Sequence, residues 1–468
     1  MKVSLIFPNI SDNVDFLTSS SPVSRFICRI IGWGETSYTP PLSLLMLAAV
    51  TPPDIEVKII DERIERIDYD EPVDLVGITI VTRTAPRAYE IADAYRQRGV
   101  KVVVGGIHPS ALPKEAIQHA DAVVRGEGEG VWPEVLEDFR QGRLKAFYCG
   151  RPQMDLDSLP FPRRDLIRHP EMYVTTKALI ASRGCPNICT YCAAGVGLSK
   201  IYRKRSVSHV IRELEQVPGK IALFMDDNLG CDLDYTKSLM RALVPLRLRW
   251  SGPVSVNALE DPEMIDLAAR SGCFMLGVGI ESISPKVLTS IRKDKTNRPE
   301  RYATVIRRLQ EAGIVAWGNF IIGFDDENPQ SFAPLIEFIQ KTNIEIVSIY
   351  ILVPYPGSVL FKQYEREGRL LHKDWRFYEP SGGSCVFLPK LMTPQELMDD
   401  YIHILDEIFS WKSILGRQLR SPARVSFGSL AALHMNLQSR LELTAEKASV
   451  KNYQKTMLAG KPDLPVLE

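Results

Sequence analysis

The sequence predicts an α/β protein with two successive parallel sheets and a helical C-terminal extension. Short apolar runs alternate with amphipathic stretches over residues 1–145, and the alternation resumes at about residue 178. This alternation is typical of parallel sheets that helices cover on both faces. After about residue 385 the strand signals stop and the pattern becomes helical.

The first unit, residues 1–145, has the pattern of a Rossmann-like, doubly wound sheet. Ligands of such sheets bind beyond the carboxyl ends of the strands, and the glycine-rich turns at 105–106 and 126–130 fall there. No GxGxxG follows the first strand and no P-loop is present, so nothing here indicates a nucleotide. The predicted strands are Val3–Phe7, Glu56–Ile60, Leu75–Ile80, Lys101–Val104 and Ala122–Val124.

The second unit, residues 176–385, contains six consecutive strand–helix repeats, which predict a partial (β/α)6 barrel. Residues 146–175 hold four prolines and are predicted to be a linker. The extension covers residues 386–468, and its polar end from about Val450 is predicted to be disordered. The predicted barrel strands are Ala178–Ser182, Ile221–Met225, Val254–Asn257, Phe274–Ile280, Ile314–Ile322 and Ile346–Leu352.

Composition narrows the class of protein. Lys plus Arg and Asp plus Glu number 57 each, so overall charge gives no reason to expect a nucleic-acid partner. No apolar run of about 18 residues predicts a transmembrane helix, and the N-terminus does not resemble a signal peptide. Three of the eight cysteines lie within eight residues, which favours a metal site in a reducing cytoplasm over a disulfide scaffold.

The three clustered cysteines have the spacing CxxxCxxC, at Cys185, Cys189 and Cys192. Three thiolates on one tight loop can hold three irons of a cubane [4Fe–4S] cluster and leave the fourth iron without a protein ligand. Structural zinc usually has four protein ligands, and no second CxxC or HxxxH is present. The loop is therefore predicted to be a [4Fe–4S] site.

With Tyr191 before its last cysteine, the loop resembles the signature of the radical S-adenosylmethionine (SAM) superfamily. The resemblance implies that the fourth iron binds SAM. It also implies that an electron from the cluster, delivered by a donor such as flavodoxin or ferredoxin, cleaves SAM to a 5′-deoxyadenosyl radical. That radical abstracts a hydrogen atom from an unactivated position of the substrate.

Other segments resemble the SAM contacts of this superfamily. The pair Asp226 and Asp227, after the second barrel strand, resembles the position that meets the SAM ammonium group, and Glu281 ends the fourth strand. Residues 318–326 resemble the fifth-strand GxIxGxxE pattern, in which Asp326 replaces the glutamate and Asn319 the first glycine. The SAM contacts implied by the resemblance are Tyr191, Asp226, Asp227, Glu281 and Ile321.

Placed before such a core, the first unit resembles a cobalamin (vitamin B12)-binding domain. The resemblance lies in Tyr38-Thr39 before the first helix, in Gly105-Gly-Ile-His108 and in Gly126-Glu-Gly-Glu129. It extends to the class that includes hopanoid methylases and the oxidative cyclase of bacteriochlorophyll synthesis. The cobalamin contacts that it implies are Thr39, Thr79, Thr82, Gly105, Gly106, Gly126, Glu127 and Glu129.

One motif of cobalamin proteins is absent. DxHxxG, whose histidine binds cobalt, is replaced by Asp61-Glu-Arg63 after the second strand. Many members of this class lack the motif and bind cobalamin without a histidine ligand. For His108, two roles remain open, either as a cobalt ligand or as a turn histidine that hydrogen-bonds the backbone.

The resemblance implies a cobalamin-dependent C-methyltransferase that acts on an unactivated carbon. An oxidative cyclase or ring-rearranging enzyme with the same cofactors is the alternative. A methylthiotransferase is a minor one, because its first domain would carry three cysteines and residues 1–150 hold only Cys28 and Cys149. The substrate is expected to be a small molecule, apolar if it is a lipid or tetrapyrrole, and Trp375, Phe377 and Tyr378 are expected to help close over it.

Overall fold

In the computed structural model, two six-stranded parallel sheets follow one another along the chain, which confirms the predicted α/β class. The residues that it describes are 1–10, 28, 30, 32–34, 36, 38–197 and 201–458. None of the helices in these ranges combines the length and the apolar character that a membrane span requires.

The first sheet has the strand order β2-β1-β3-β4-β5-β6, with every neighbouring pair parallel. Its strands are β1 Lys2–Phe7, β2 Glu56–Asp61, β3 Leu75–Thr79, β4 Lys101–Gly105, β5 Ala122–Gly126 and β6 Phe147–Gly150. The last of these lies in the stretch predicted to be a linker. The sheet therefore extends to Gly150, because backbone pairing with β5 continues past the last strong apolar run.

Helices cover both faces of the first sheet, as near-continuous apolar strands require. Ile6, on one face, belongs to a core that includes the helix Ala85–Gln97, and its neighbour Leu5 faces a core with Leu45 and Trp132. The helices of this unit are Leu42–Ala49, Ala85–Gln97, Ile107–Ala111, Pro113–Ala116 and Trp132–Arg140.

The second sheet has the order β14-β13-β12-β11-β10-β7 and is an open, partial barrel. Its strands are β7 Ala178–Leu179, β10 Ile221–Phe224, β11 Arg249–Ser255, β12 Cys273–Glu281, β13 Val315–Ile322 and β14 Ile346–Ile351. Between β7 and β10 the chain forms a short antiparallel pair, β8 Ser182–Arg183 and β9 Arg203–Lys204. The cysteine loop connects these two short strands.

Capping side chains start several helices of the second unit, because a Ser or Asp oxygen accepts a backbone N–H that the first turn leaves unpaired. These caps are Ser206, Asp232, Asp261, Ser284 and Ser358. The helices are Ala194–Gly197, Val207–Gln216, Leu233–Leu243, Pro262–Arg270, Pro285–Ser290, Pro299–Glu311, Phe332–Thr342 and Val359–Arg366.

The extension is helical, as predicted, and consists of Pro394–Ile408, Trp411–Arg420 and Phe427–Met457. Gly428 lets the last helix approach β12 closely, since a Cβ there would lie 2.2 Å from the Phe274 carbonyl oxygen. The prediction of disorder from Val450 is wrong as far as Met457, because buried Val450 and Tyr453 hold the end of the helix against the protein. Residues 459–468 lie outside the described residues.

The three aromatic residues predicted to close over a substrate lie in a hydrophobic core instead. Trp375 and Tyr378 are buried in a core of the first unit, and the Trp375 indole N–H donates to Glu115 over 2.9 Å. Phe377 packs against the same core. They join the second unit to the first, so the expectation that they cover the substrate is wrong.

Candidate active site

A cavity of about 820 Å³ lies inside the barrel and extends to the loops at the carboxyl ends of its strands. The three clustered cysteines line it, as do the predicted SAM contacts Tyr191, Asp226, Asp227 and Glu281. Ile321, the remaining predicted SAM contact, is half-buried in β13 and is not among the lining residues, whereas Trp317 and Asn319 of that strand are. The barrel thus brings four of the five predicted SAM contacts to one space.

The cysteine loop presents thiols with the donor chemistry of an iron–sulfur site. Cys192 is exposed, and the other two cysteines are half-buried. In the described part of the chain no three His, Cys, Asp or Glu side chains lie close enough to hold a single metal ion. A cubane cluster spaces its cysteine sulfurs more widely than one ion does, so three thiols around an open cavity fit the cluster.

A fourth cysteine approaches the loop from the turn after β10. The Cys231 thiol lies 4.0 Å, sulfur to sulfur, from Cys185. The cysteine spacing in the sequence did not single it out, because 46 residues separate the two. The sequence feature that places Cys231 near the loop is its position four residues after Asp227, in the turn that follows β10.

The two aspartates after β10 differ in their surroundings. Asp226 is buried and accepts hydrogen bonds from the Ala181 and Ser182 N–H groups and from the Ser182 hydroxyl, so it shapes the chain just before the cysteine loop. Burial raises its pKa to about 6 in spite of these donors. Among the described residues, Asp227 accepts through Oδ2 alone, from the Gly184 N–H over 3.1 Å. Its other oxygen remains available to a ligand.

A buried ion pair faces the cysteines from the far wall. Lys293 donates to Glu281 over 2.5 Å and lies 3.4 Å from the Tyr191 hydroxyl. Burial disfavours its charge, but Glu281 outweighs this and keeps the pKa of Lys293 above its ordinary value. Glu281 has a positive φ of 62° at an irregularity in the pairing of β12 with β13. Such strain is characteristic of functional sites.

The buried carboxylate that follows β13 is Glu327, one residue after Asp326, which the GxIxGxxE pattern predicts for this role. Glu327 is buried and accepts from the N–H groups of Gly323 and Phe324 over 2.8 and 3.1 Å, and it therefore fixes the turn that ends the strand. Asp326 pairs instead with Lys286 at the surface. The GxIxGxxE pattern does not identify Glu327, because this chain has one extra residue before the final carboxylate.

A second cleft, of about 430 Å³, lies at the carboxyl ends of the first sheet. Six of the eight predicted cobalamin contacts line it, namely Thr79, Gly105, Gly106, Gly126, Glu127 and Glu129. Thr82 is instead buried in a short turn, and Thr39 lines the barrel cavity. Glycine turns and short side chains leave the cleft open to a broad ligand, so its shape fits cobalamin.

His108 is not among the residues that line this cleft, and none of the described lining residues is a histidine. Its ring is fully buried, with Nε2 3.1 Å from a Glu115 oxygen and the Trp375 ring packed edge-on. The geometry supports neither expected role, because the ring lies away from the cleft and Nε2 contacts a carboxylate oxygen where a backbone partner was expected.

Ion pairs join the Gly126–Glu129 turn to the β8–β9 hairpin. Arg203 contacts both oxygens of Glu127 over 2.5 and 3.0 Å. Arg183 reaches Glu129 over 2.6 Å and Glu127 over 3.3 Å. Burial by itself raises the pKa of Glu127, but the hydrogen bond from Arg203 outweighs this effect and keeps the pKa below its ordinary value. The Glu127 carboxylate is thus committed to protein partners.

The cleft and the barrel cavity are separated by a thin wall. Met225 and Asp227 line both spaces, and 46% of the Met225 side chain is exposed. A ligand in the cleft and a ligand in the barrel therefore both contact the end of β10.

Comparison with known families agrees with this arrangement of two ligand spaces. Residues 179–339 match the model of the radical SAM superfamily, and residues 34–136 match that of the B12 binding domain. Bacteriochlorophyllide d C-12(1)-methyltransferase of Chlorobaculum tepidum is 32% identical over 393 residues, which are 82% of this chain and 85% of that protein. The chain belongs to the radical SAM superfamily and carries a B12-binding domain. Its cofactors are a [4Fe–4S] cluster, SAM and cobalamin.

Two further relatives support the same family. Bacteriochlorophyllide d C-8(2)-methyltransferase of Chlorobaculum tepidum is 30% identical over 404 residues, covering 82% of this chain and 88% of that protein. The solved structure of the cobalamin-dependent SAM radical enzyme OxsB, with aqua-cobalamin and SAM bound, superposes with a TM-score of 0.64. It is 15% identical and the match covers 97% of this chain and 80% of that one, so it supports the fold.

The pH dependence of stability tests the role of Glu327. Burial raises the pKa of Glu327 to about 7, so the folded protein keeps a proton that the unfolded chain releases above its ordinary pKa of about 4.5. Stability from this group is present below pH 4.5 and is lost as the pH rises through 7. Gln keeps a hydrogen-bond acceptor and does not titrate. As the pH rises from 5 to 8, the free energy of unfolding of Glu327→Gln should therefore increase relative to that of the wild type by up to about 3 kcal/mol.

The measurement is thermal unfolding of the cofactor-free protein at several pH values between 5 and 8. Glu337→Gln is the matched control, since it makes the same change at an exposed carboxylate, and its profile should follow the wild type. Parallel profiles for wild type and Glu327→Gln would contradict the assignment.

Cobalamin affinity tests the ion pairs at the cleft. Arg183→Gln removes the cation from half-buried Glu129 and one of the two cations from buried Glu127, which is costly where solvent is largely excluded, so the turn should rearrange and cobalamin should bind about tenfold more weakly. Equilibrium titration followed by cobalamin absorbance measures this. Arg163→Gln, which removes an exposed pair with Asp165, should bind as the wild type does. Equal affinity for Arg183→Gln would show that the pairs do not support the cleft.

Proposed function

We propose that this chain is a cobalamin-dependent C-methyltransferase whose substrate is a small, apolar, tetrapyrrole-like molecule. The observation that carries the proposal is the shared wall, because Met225 and Asp227 line both the cobalamin cleft and the barrel cavity. A methyl carrier in the cleft lies beside a substrate in the barrel. When bound, the cluster and SAM supply the radical that activates the substrate, and cobalamin supplies the methyl group.

The cavity has a polar end and an apolar end, which suits two occupants. Near the cysteines, Asp227 has an oxygen available for the SAM ammonium group, and Tyr191, Glu281 and Lys293 form the adjoining wall. Deeper in the barrel, the lining is contributed by Leu223, Val254, Met275, Trp317 and Met435. Such a surface excludes water and suits an apolar substrate.

Trp317 offers the apolar end a flat and fixed surface. Its indole N–H donates to the Ser348 hydroxyl over 2.8 Å, which sets the plane of the ring. Aromatic rings favour stacked or edge-on contacts with other rings. We propose that Trp317 positions the macrocycle, an inference that draws on the bacteriochlorophyllide named for the two Chlorobaculum relatives.

The electron donor and the compartment belong to the proposal as well. Ile188 and Cys192 of the cysteine loop are exposed, so a small reduced protein such as flavodoxin or ferredoxin can approach the cluster. All eight cysteines are free, which agrees with a reducing cytoplasm.

Coproduct analysis with a bacteriochlorophyllide as substrate tests the function. With the cluster and cobalamin restored without oxygen, we expect 5′-deoxyadenosine, S-adenosylhomocysteine and a product in which a methyl group has replaced one hydrogen atom of the substrate, because SAM serves as both radical source and methyl donor. In the cobalamin-free protein S-adenosylhomocysteine should be lost.

Deoxyadenosine with a ring-closed or rearranged product and no S-adenosylhomocysteine would contradict methyl transfer and favour the cyclase alternative. Replacing Cys149, an exposed thiol far along the chain from the loop, with Ser is the control variant and should leave all three products unchanged.

A further inference from the structure

The helix Trp411–Arg420 presents a row of large apolar side chains to solvent. Trp411, Leu415 and Leu419 recur every four residues, so they share one face, and they are 52%, 48% and 68% exposed. Val425, in the turn that follows, is 90% exposed. Single exposed apolar residues are normal, but a continuous row marks a contact surface.

The opposite face of this helix fixes its orientation. Arg417 is fully buried, and its guanidinium donates to the carbonyl oxygens of Ile344 and Ile408 over 2.7 and 2.9 Å. Ile414, one turn earlier, is also fully buried. The helix therefore cannot rotate to hide its apolar row without breaking these bonds.

Charge along this stretch of the chain is one-sided. Residues 411–441 contain five Lys or Arg and no Asp or Glu, in a chain whose charges balance overall. Lys412, Arg420 and Arg424 of this stretch are exposed. Lys412 lies in the first turn of its helix, where the helix dipole disfavours a cation. Helix stability therefore does not account for it.

We propose that this surface, which comprises Trp411, Leu415, Leu419 and Val425 with Lys412, Arg420 and Arg424, is a docking surface for an anionic lipid bilayer. Apolar residues with a tryptophan on one helix face, flanked by cations, are the pattern of helices that lie in a membrane interface. A second copy of the chain is disfavoured as the occupant. A two-fold interface would bring the same three cations of both copies together, and residues 411–441 supply no carboxylate to pair with them.

Vesicle flotation tests the docking surface in the full-length protein, independently of the methyl-transfer assay. We expect the protein to float with vesicles of phosphatidylcholine plus phosphatidylglycerol and not with phosphatidylcholine alone, and to dissociate as salt is raised. Each cation near an anionic surface contributes about fivefold to binding, so Lys412→Gln, Arg420→Gln and Arg424→Gln together should weaken it by roughly 100-fold.

The apolar row has its own variant and a matched control. Replacing Trp411, Leu415 and Leu419 with Ser should reduce flotation at least tenfold, with helix content and cobalamin uptake unchanged. The control, Met154→Ser with Leu391→Ser, removes two apolar side chains of similar exposure, 63% and 46%, elsewhere on the surface, and should float as the wild type does.

Two outcomes would overturn the proposal. One is flotation that does not depend on lipid charge or on either set of variants. The other is a wild-type dimer, detected by light scattering, that becomes a monomer in the serine variant, together with no binding of the wild type to either kind of vesicle. The surface would then be an interface between copies.

Discussion

The arrangement of the active site depends on one group of ion pairs, in which Arg203 and Glu127 are buried and Arg183 and Glu129 are half-buried. Arg183 comes two residues before Cys185, and the glutamates belong to the turn that borders the cobalamin cleft. Removing one partner from a buried pair leaves an uncompensated charge. The same four side chains therefore fix the position of the cluster loop relative to the Gly126–Glu129 turn.

From that constraint the remaining geometry follows. Asp226 and Asp227 bind the backbone on either side of Arg183, at Ser182 and Gly184, and so attach the end of β10 to the cluster loop. The end of β10 becomes the wall between two cofactor spaces, and Met225 is its exposed tip. The helical extension closes the other end of the barrel, where Met435 lines the cavity.

Both sheets, the cysteine loop and the cobalamin-type domain could be predicted, since they rest on local periodicity and short motifs. Arg183 and Cys231 could not, because their partners lie 54 and 46 residues away in the chain. Lys293 could not, because no motif marks its pairing with Glu281, 12 residues before it. Glu127 was expected at cobalamin on the strength of its turn, and its commitment to Arg203 depends on packing between the two units. The pattern predicts Asp326 where the structure has Glu327. The two adjacent carboxylates differ in burial, which the sequence does not show.

The close approach of the two cofactors is the central claim, and electron paramagnetic resonance tests it directly. In protein that holds both cob(II)alamin and the reduced cluster, we expect the cob(II)alamin spin to relax faster than in Cys185→Ala, which cannot hold an intact cluster. Equal relaxation in the two proteins, with the wild-type cluster shown to be present, would mean that the cofactors lie far apart and that the shared wall at Met225 and Asp227 does not join their sites.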